Sequence, residues 1–150
     1  MLENFVSGHE IEFLINLVLC LIGGMLIGIE RESRGKSAGI STHVFVIAGA
    51  MVFTMLSIAI SPENPDRIAA QIITGIGFLG AGIILKESNG DIINLTTAAS
   101  IWFSAGIGML IGFKWYLIAI ICIIFTILTP RIPHIWGRKD FENKIKKGYR

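Results

Sequence analysis

Long uncharged apolar blocks, separated by short charged turns, recur along this chain, and this alternation constrains the fold more than any other feature. A run of about twenty such residues is long enough to cross the hydrocarbon of a bilayer as a helix. In hydrocarbon every backbone N–H and C=O must find its partner within the structure, which leaves helices or closed barrels. The blocks are continuous rather than alternating at period two, so helices are expected.

Five spans are expected, at about 11–29, 44–60, 68–85, 95–113 and 115–129, followed by a basic tail over 130–150. The reading is an all-α, polytopic transmembrane bundle. Charged residues make up 16% of the chain and hydrophobic residues 53%, whereas soluble domains carry roughly 25% charged residues. Glu30 to Lys36 close the first block, Pro62 and Pro65 break the chain before the third, and Lys86 to Asp91 form the next polar turn. Lys114, Trp115 and Tyr116 mark an interface. Cys20 and Cys122 lie inside apolar blocks with no CxxC partner, as small buried hydrophobes do. No positively charged leader precedes the first block. A net charge of +2 gives no basis for a nucleic-acid partner.

Basic residues set the orientation. The turns holding Arg67 and Lys114 contribute two. The Arg31–Lys36 loop, Lys86 and the tail contribute the other eleven of thirteen, so that side is expected to be cytoplasmic, with the N-terminus outside. An offset of 55 aligns Glu32 with Glu87, Gly35 with Gly90, Ser41 with Thr96 and Thr42 with Thr97. That suggests a parallel repeat of helix pairs, with the fifth helix added.

Gly75, Gly77 and Gly80 spell GxGxxG, but a dinucleotide site needs a strand before it and an amphipathic helix after it. Inside an apolar span, glycines let helix backbones approach. Gly24 with Gly28 and Gly108 with Gly112 repeat the GxxxG spacing. The alternative is a third helix broken at Gly75, Gly77, Gly80 and Gly82, offering backbone carbonyls to a ligand.

The polar candidates fall in three groups. Glu30 follows the first apolar run directly and reads as an inward-facing carboxylate able to hold a hard cation, with Mg2+ the first guess; a second subunit would double the site. Thr42, Thr96 and Thr97 open helices, either as caps or as two positive helix ends that hold an anion together with Arg31 and Arg34. Arg67, Gln71 and Thr74 share a helix face by their spacing, and together with Asp66 they either line an outer vestibule or, for Asp66, cap the helix. His43 reads as a structural interface residue. No nucleophile–base pair and no Cys/His cluster is visible, so no enzyme activity and no cofactor is expected.

Several stretches together resemble the MgtC/SapB family of membrane proteins: Gly28-Ile29-Glu30-Arg31-Glu32, Ala38 to His43, Arg67 to Gln71, Gly75 to Gly82 and Leu95 to Trp102. The resemblance covers about residues 10 to 125. It implies a small inner-membrane protein associated with survival under magnesium limitation, with either magnesium transport or control of the proton-driven ATP synthase as its activity. Many relatives carry an ACT-like domain after the fifth span, where a basic tail of about twenty residues follows here. They also commonly have arginine where this chain has Ser41. A dimer embedded in the lipid bilayer is expected, with either an ion site between the repeats or a regulatory contact to another membrane complex.

Overall fold

The computed structural model describes residues 8–86 and 92–132. Five helices follow one another: α1 (Glu10–Ser33), α2 (Ile40–Ile60), α3 (Asp66–Ile83), α4 (Leu95–Gly112) and α5 (Tyr116–Leu128), the last running into a 3-10 turn, Thr129–Arg131. The connection from α3 to α4 adds one feature the sequence does not announce. There, β1 (Leu85–Lys86) pairs antiparallel with β2 (Ile92–Ile93) in a two-residue ladder.

α1, α2 and α4 are long and apolar enough to cross a membrane. The apolar part of α3 (Ala69–Ile83) and α5 with its turn (Tyr116–Arg131) are shorter than these three. The exterior is largely apolar, with Phe45, Phe78 and Leu117 all strongly exposed. Such a surface suits hydrocarbon rather than water, and the chain is an all-α membrane protein.

Glycine decides which helices come close. A Cβ on Gly24 would lie 2.6 Å from the Val44 backbone, and one on Gly28 would press on Ile40. One on Gly108 would overlap the Ile47 carbonyl and lie 2.8 Å from Ala50 Cβ; one on Gly112 would lie 2.7 Å from Thr54 Cβ. α2 is therefore gripped between α1 and α4, over a core of Cys20, Ile27, Ile47, Met51, Ile107 and Ile111. Gly80 makes only ordinary contact with Ala98, and Gly75, Gly77 and Gly82 meet nothing within 4 Å. α3 is one unbroken helix, so its glycines do not unwind it.

Helix ends differ from expectation in ways that shape the site. α1 runs past Ile29 and takes Glu30 to Ser33 into its last turn. It stops at Gly35 (φ +64), where Gly35 N–H donates to Glu32 O at 2.9 Å and Lys36 N–H to Arg31 O at 3.0 Å, the paired bonds of a Schellman stop. α4 ends in the same way, with Lys114 in the left-handed position and Trp115 N–H on Leu110 O. α2 starts at Ile40, and neither Ser41 nor Thr42 caps it. Instead Glu32 Oε1 accepts from Ile40 N–H at 2.9 Å. Asp66 makes no cap hydrogen bond, because Pro65 holds the N-cap position; Ser57 Oγ donates to the Pro65 carbonyl. The second copy of the repeat's Glu-Ser-x-Gly turn lies outside the described residues.

Candidate functional site

α1, α4 and α5 are each too apolar to tolerate unpaired polar groups, yet their ends and the start of α2 converge on a polar centre. Its middle is Arg31, only 1% exposed. Position 31 continues the face of Ile27 and Gly28, and the close approach at Gly28 carries the guanidinium inward to α4. There Arg31 Nη2 donates to Thr97 Oγ1 at 2.8 Å.

Glu30 is buried on the adjoining face. Its Oε1 accepts from Arg34 Nη1 at 3.3 Å, and Arg34 also donates to the Pro130 carbonyl, tying the end of α1 to the turn after α5. His43 is fully buried, with Nδ1 at 2.8 Å from Ser104 Oγ. Ser104 spends its one proton on the Ser100 carbonyl at 2.9 Å. A hydroxyl has a single proton to give, so His43 Nδ1–H is the donor. Ser100 Oγ in turn donates to Thr97 O at 2.8 Å.

Among the described residues, three buried atoms in this centre have no hydrogen-bond partner: Glu30 Oε2, Arg31 Nε and His43 Nε2. Buried polar atoms are normally satisfied, so these are open positions for a small polar species. Arg31 is attracted by Glu30, repelled by Arg34 and acts on His43. Two guanidiniums, Arg31 and Arg34, stand beside the one carboxylate of Glu30. Among the described residues Glu30 is the buried carboxylate, and no group of three or more His, Cys, Asp or Glu side chains exists that would hold a metal ion.

The expected site residues divide cleanly. Glu30, Arg31, Arg34 and Thr97 come together. Thr42 is half-buried and Thr96 exposed, and neither bonds Arg31. Asp66, Arg67, Gln71 and Thr74 are exposed along α3, starting from the opposite end of the bundle, so Gln71 does not join Glu30 and Thr97. His43 and Ser104 belong to the centre although neither was a predicted site residue. The available signal was the Thr97, Ser100, Ser104 spacing, a polar stripe at helical intervals inside an apolar block. A second polar contact, Tyr116 hydroxyl to buried Asn16 Oδ1 at 3.0 Å, lies at the other end. There Lys114 Nζ also meets Glu12 Oε1 at 2.8 Å.

A glycine-clamped helical bundle with a buried arginine centre defines a small polytopic membrane protein. The MgtC family model matches residues 17–134, and the chain belongs to the MgtC family. It is 49% identical over 100 residues to Protein MgtC of Salmonella typhimurium, covering 67% of this chain and 43% of that protein. It is 43% identical over 132 residues to the putative magnesium transporter YhiD of Escherichia coli K12, covering 82% and 61%. An uncharacterized protein of Haemophilus influenzae is 38% identical over 156 residues, covering 95% and 65%. The chain thus spans less than two thirds of the length of these relatives. No solved structure matches.

Proposed function

We propose that this chain serves magnesium homeostasis as a regulatory protein of the inner membrane, N-terminus outside, rather than as a conduit for Mg2+. The name of one relative, the putative magnesium transporter YhiD, supplies the magnesium connection. One observation carries the choice between regulation and transport: the buried Glu30 carboxylate is held by Arg34 and lies beside Arg31. Mg2+ demands several oxygen ligands in near-octahedral order. A lone carboxylate already facing two guanidiniums offers it one ligand and repulsion. The same centre suits regulation, because Arg31 to Thr97 and Arg34 to Pro130 tie the end of α1 to α4 and to the turn after α5. A partner that moved either helix would be felt at both.

One observation favours the second reading, Mg2+ binding or translocation at Glu30: its Oε2 is buried and open. Flux of Mg2+ into proteoliposomes, wild type against Glu30→Ala, separates the two. No flux above empty liposomes in either protein is expected. Saturable flux in the wild type that Glu30→Ala abolishes overturns the regulatory reading.

A further inference from the structure

α3 buries one stripe. Its Ile72 packs with Val46 and Ala50 of α2 and Ile101 of α4, and Gly80 meets Ala98 of α4. Outside that contact α2 and α3 part and leave a groove of about 560 Å³. Phe45, Gly49 and Phe53 of α2 form one wall, and Gln71, Gly75 and Leu79 of α3 the other; each trio recurs every four residues along one helix face. The two glycines keep the middle open, since a Cβ on either would meet nothing within 4 Å. Gln71 is the one polar side chain among the described residues that line the groove, and its amide makes no hydrogen bond to any of them. One turn before it Arg67 is exposed and makes no ion pair with a described residue. Asp66 lies off this row, because adjacent helical residues do not share a face.

An α-helix rises 1.5 Å per residue, so Gln71 lies about 6 Å and Gly75 about 12 Å beyond Arg67 along the axis. The headgroup layers of a bilayer are each about 5–8 Å thick. With Arg67 among the phosphates, Gln71 stands where the glycerol esters give way to chains, and Gly75 and Leu79 lie in hydrocarbon. We propose that the groove holds one glycerophospholipid of the leaflet at the α2–α3 turn. Its phosphate accepts from Arg67, an ester carbonyl accepts from the Gln71 side-chain N–H, and one acyl chain runs past Gly49 and Gly75 between Phe45 and Phe53.

The order of the groups selects this occupant. A guanidinium only donates and an amide N–H donates; phosphate and ester carbonyl are the acceptors that follow each other at that depth in a phospholipid, with an apolar chain behind them. A fatty acid has no acceptor behind its carboxylate, so Gln71 would face methylenes. A helix has already spent its backbone carbonyls on itself. Spread over the roughly 12 Å from Gln71 to Leu79, the groove has a cross-section of about 45 Å², enough for a hydrocarbon chain and too little for a helix about 10 Å across. None of these residues belongs to the Glu30–Arg31 centre, so lipid binding and regulation at that centre stand or fall separately.

The test titrates phosphatidylglycerol into the full chain in detergent and counts bound lipid by native mass spectrometry. One tightly held molecule is expected. Gly75→Leu, which fills the groove, should weaken it at least about ten-fold, whereas Gly82→Leu, outside the lining and equally free of neighbours, should leave it unchanged. Gln71→Leu should weaken it about two- to ten-fold, the range for one hydrogen bond, and Arg67→Gln should weaken it as well. Palmitate should bind without regard to Gln71→Leu. In liposomes of phosphatidylethanolamine, phosphatidylglycerol with a photoreactive acyl chain should label residues 45–53 and 71–79 of the wild type above the exposed face of α5. Equal affinity in wild type and Gly75→Leu, equal loss in Gly82→Leu, indifference to Gln71→Leu, or labelling no stronger than on α5 overturns the proposal. So does a photoreactive side chain in place of Phe53 that, in native membranes, captures a protein instead of phospholipid.

Discussion

Gly108→Ala is expected to destabilise the bundle by about 2 kcal/mol, and the sum can be worked from its surroundings. The added methyl would overlap the Ile47 carbonyl and stand 2.8 Å from Ala50 Cβ and 2.9 Å from the Ile47 carbonyl carbon. Carbon atoms pack best at about 3.5–4.0 Å, so α2 and α4 must part by about 1 Å, which forfeits a quarter to a half of the dispersion energy of each contact there. The neighbours losing it include Ile47, Met51 and Ile111, all essentially inaccessible. Overpacking of this kind costs about 1–3 kcal/mol. The His43–Ser104 bond, one turn away on α4 at 2.8 Å, stretches and adds about 0.5–1.5 kcal/mol. Alanine's better helix propensity returns about 1 kcal/mol. Gly77→Ala has only that last contribution, since nothing lies within 4 Å of it. Equilibrium unfolding in mixed micelles, followed by far-ultraviolet circular dichroism at a concentration where the chain is monomeric, measures both. Gly108→Ala as stable as the wild type, or Gly77→Ala as damaging as Gly108→Ala, would refute the claim that glycine contacts hold α2 and α4 together.

Thr97→Val removes the acceptor of the buried Arg31 Nη2 at nearly constant volume, and should cost about 1–3 kcal/mol in the same unfolding assay. A double-mutant cycle with Arg31→Met should show a coupling of at least about 0.5 kcal/mol; strict additivity contradicts the contact. The hydrogen bond to Glu12 raises the pKa of Lys114 above its ordinary value. A cation stabilised in the folded state contributes fully below its unfolded pKa and loses that contribution as pH rises through the higher folded one. The stability difference between wild type and Lys114→Gln should therefore be constant up to about pH 10 and shrink above it. A difference that grows with alkalinity would show that this ion pair is not formed.

Hydropathy alone determined that these segments are membrane helices, because a backbone in hydrocarbon has no other way to satisfy its hydrogen bonds. The approximate positions of the helices follow from it, as does the close packing at Gly24, Gly28, Gly108 and Gly112, where small residues recur at the spacing of one helix face. Glu30, Arg31, Arg34 and Thr97 were also legible as candidates, since charge beside an apolar run is costly and has to be placed. Which of them meet was not legible. Arg31 and Thr97 are 66 positions apart, and their contact depends on how far α1 rotates about the Gly28–Ile40 crossing, a property of two helices rather than of either. His43 joined the centre for the same reason: its ring finds Ser104 only when α2 lies against α4. Gln71 and Thr74 show the converse. One helix face groups them, but the packing of Ala69 and Ile72 decides that this face looks outward, because a helix on the flank of a bundle buries only one stripe.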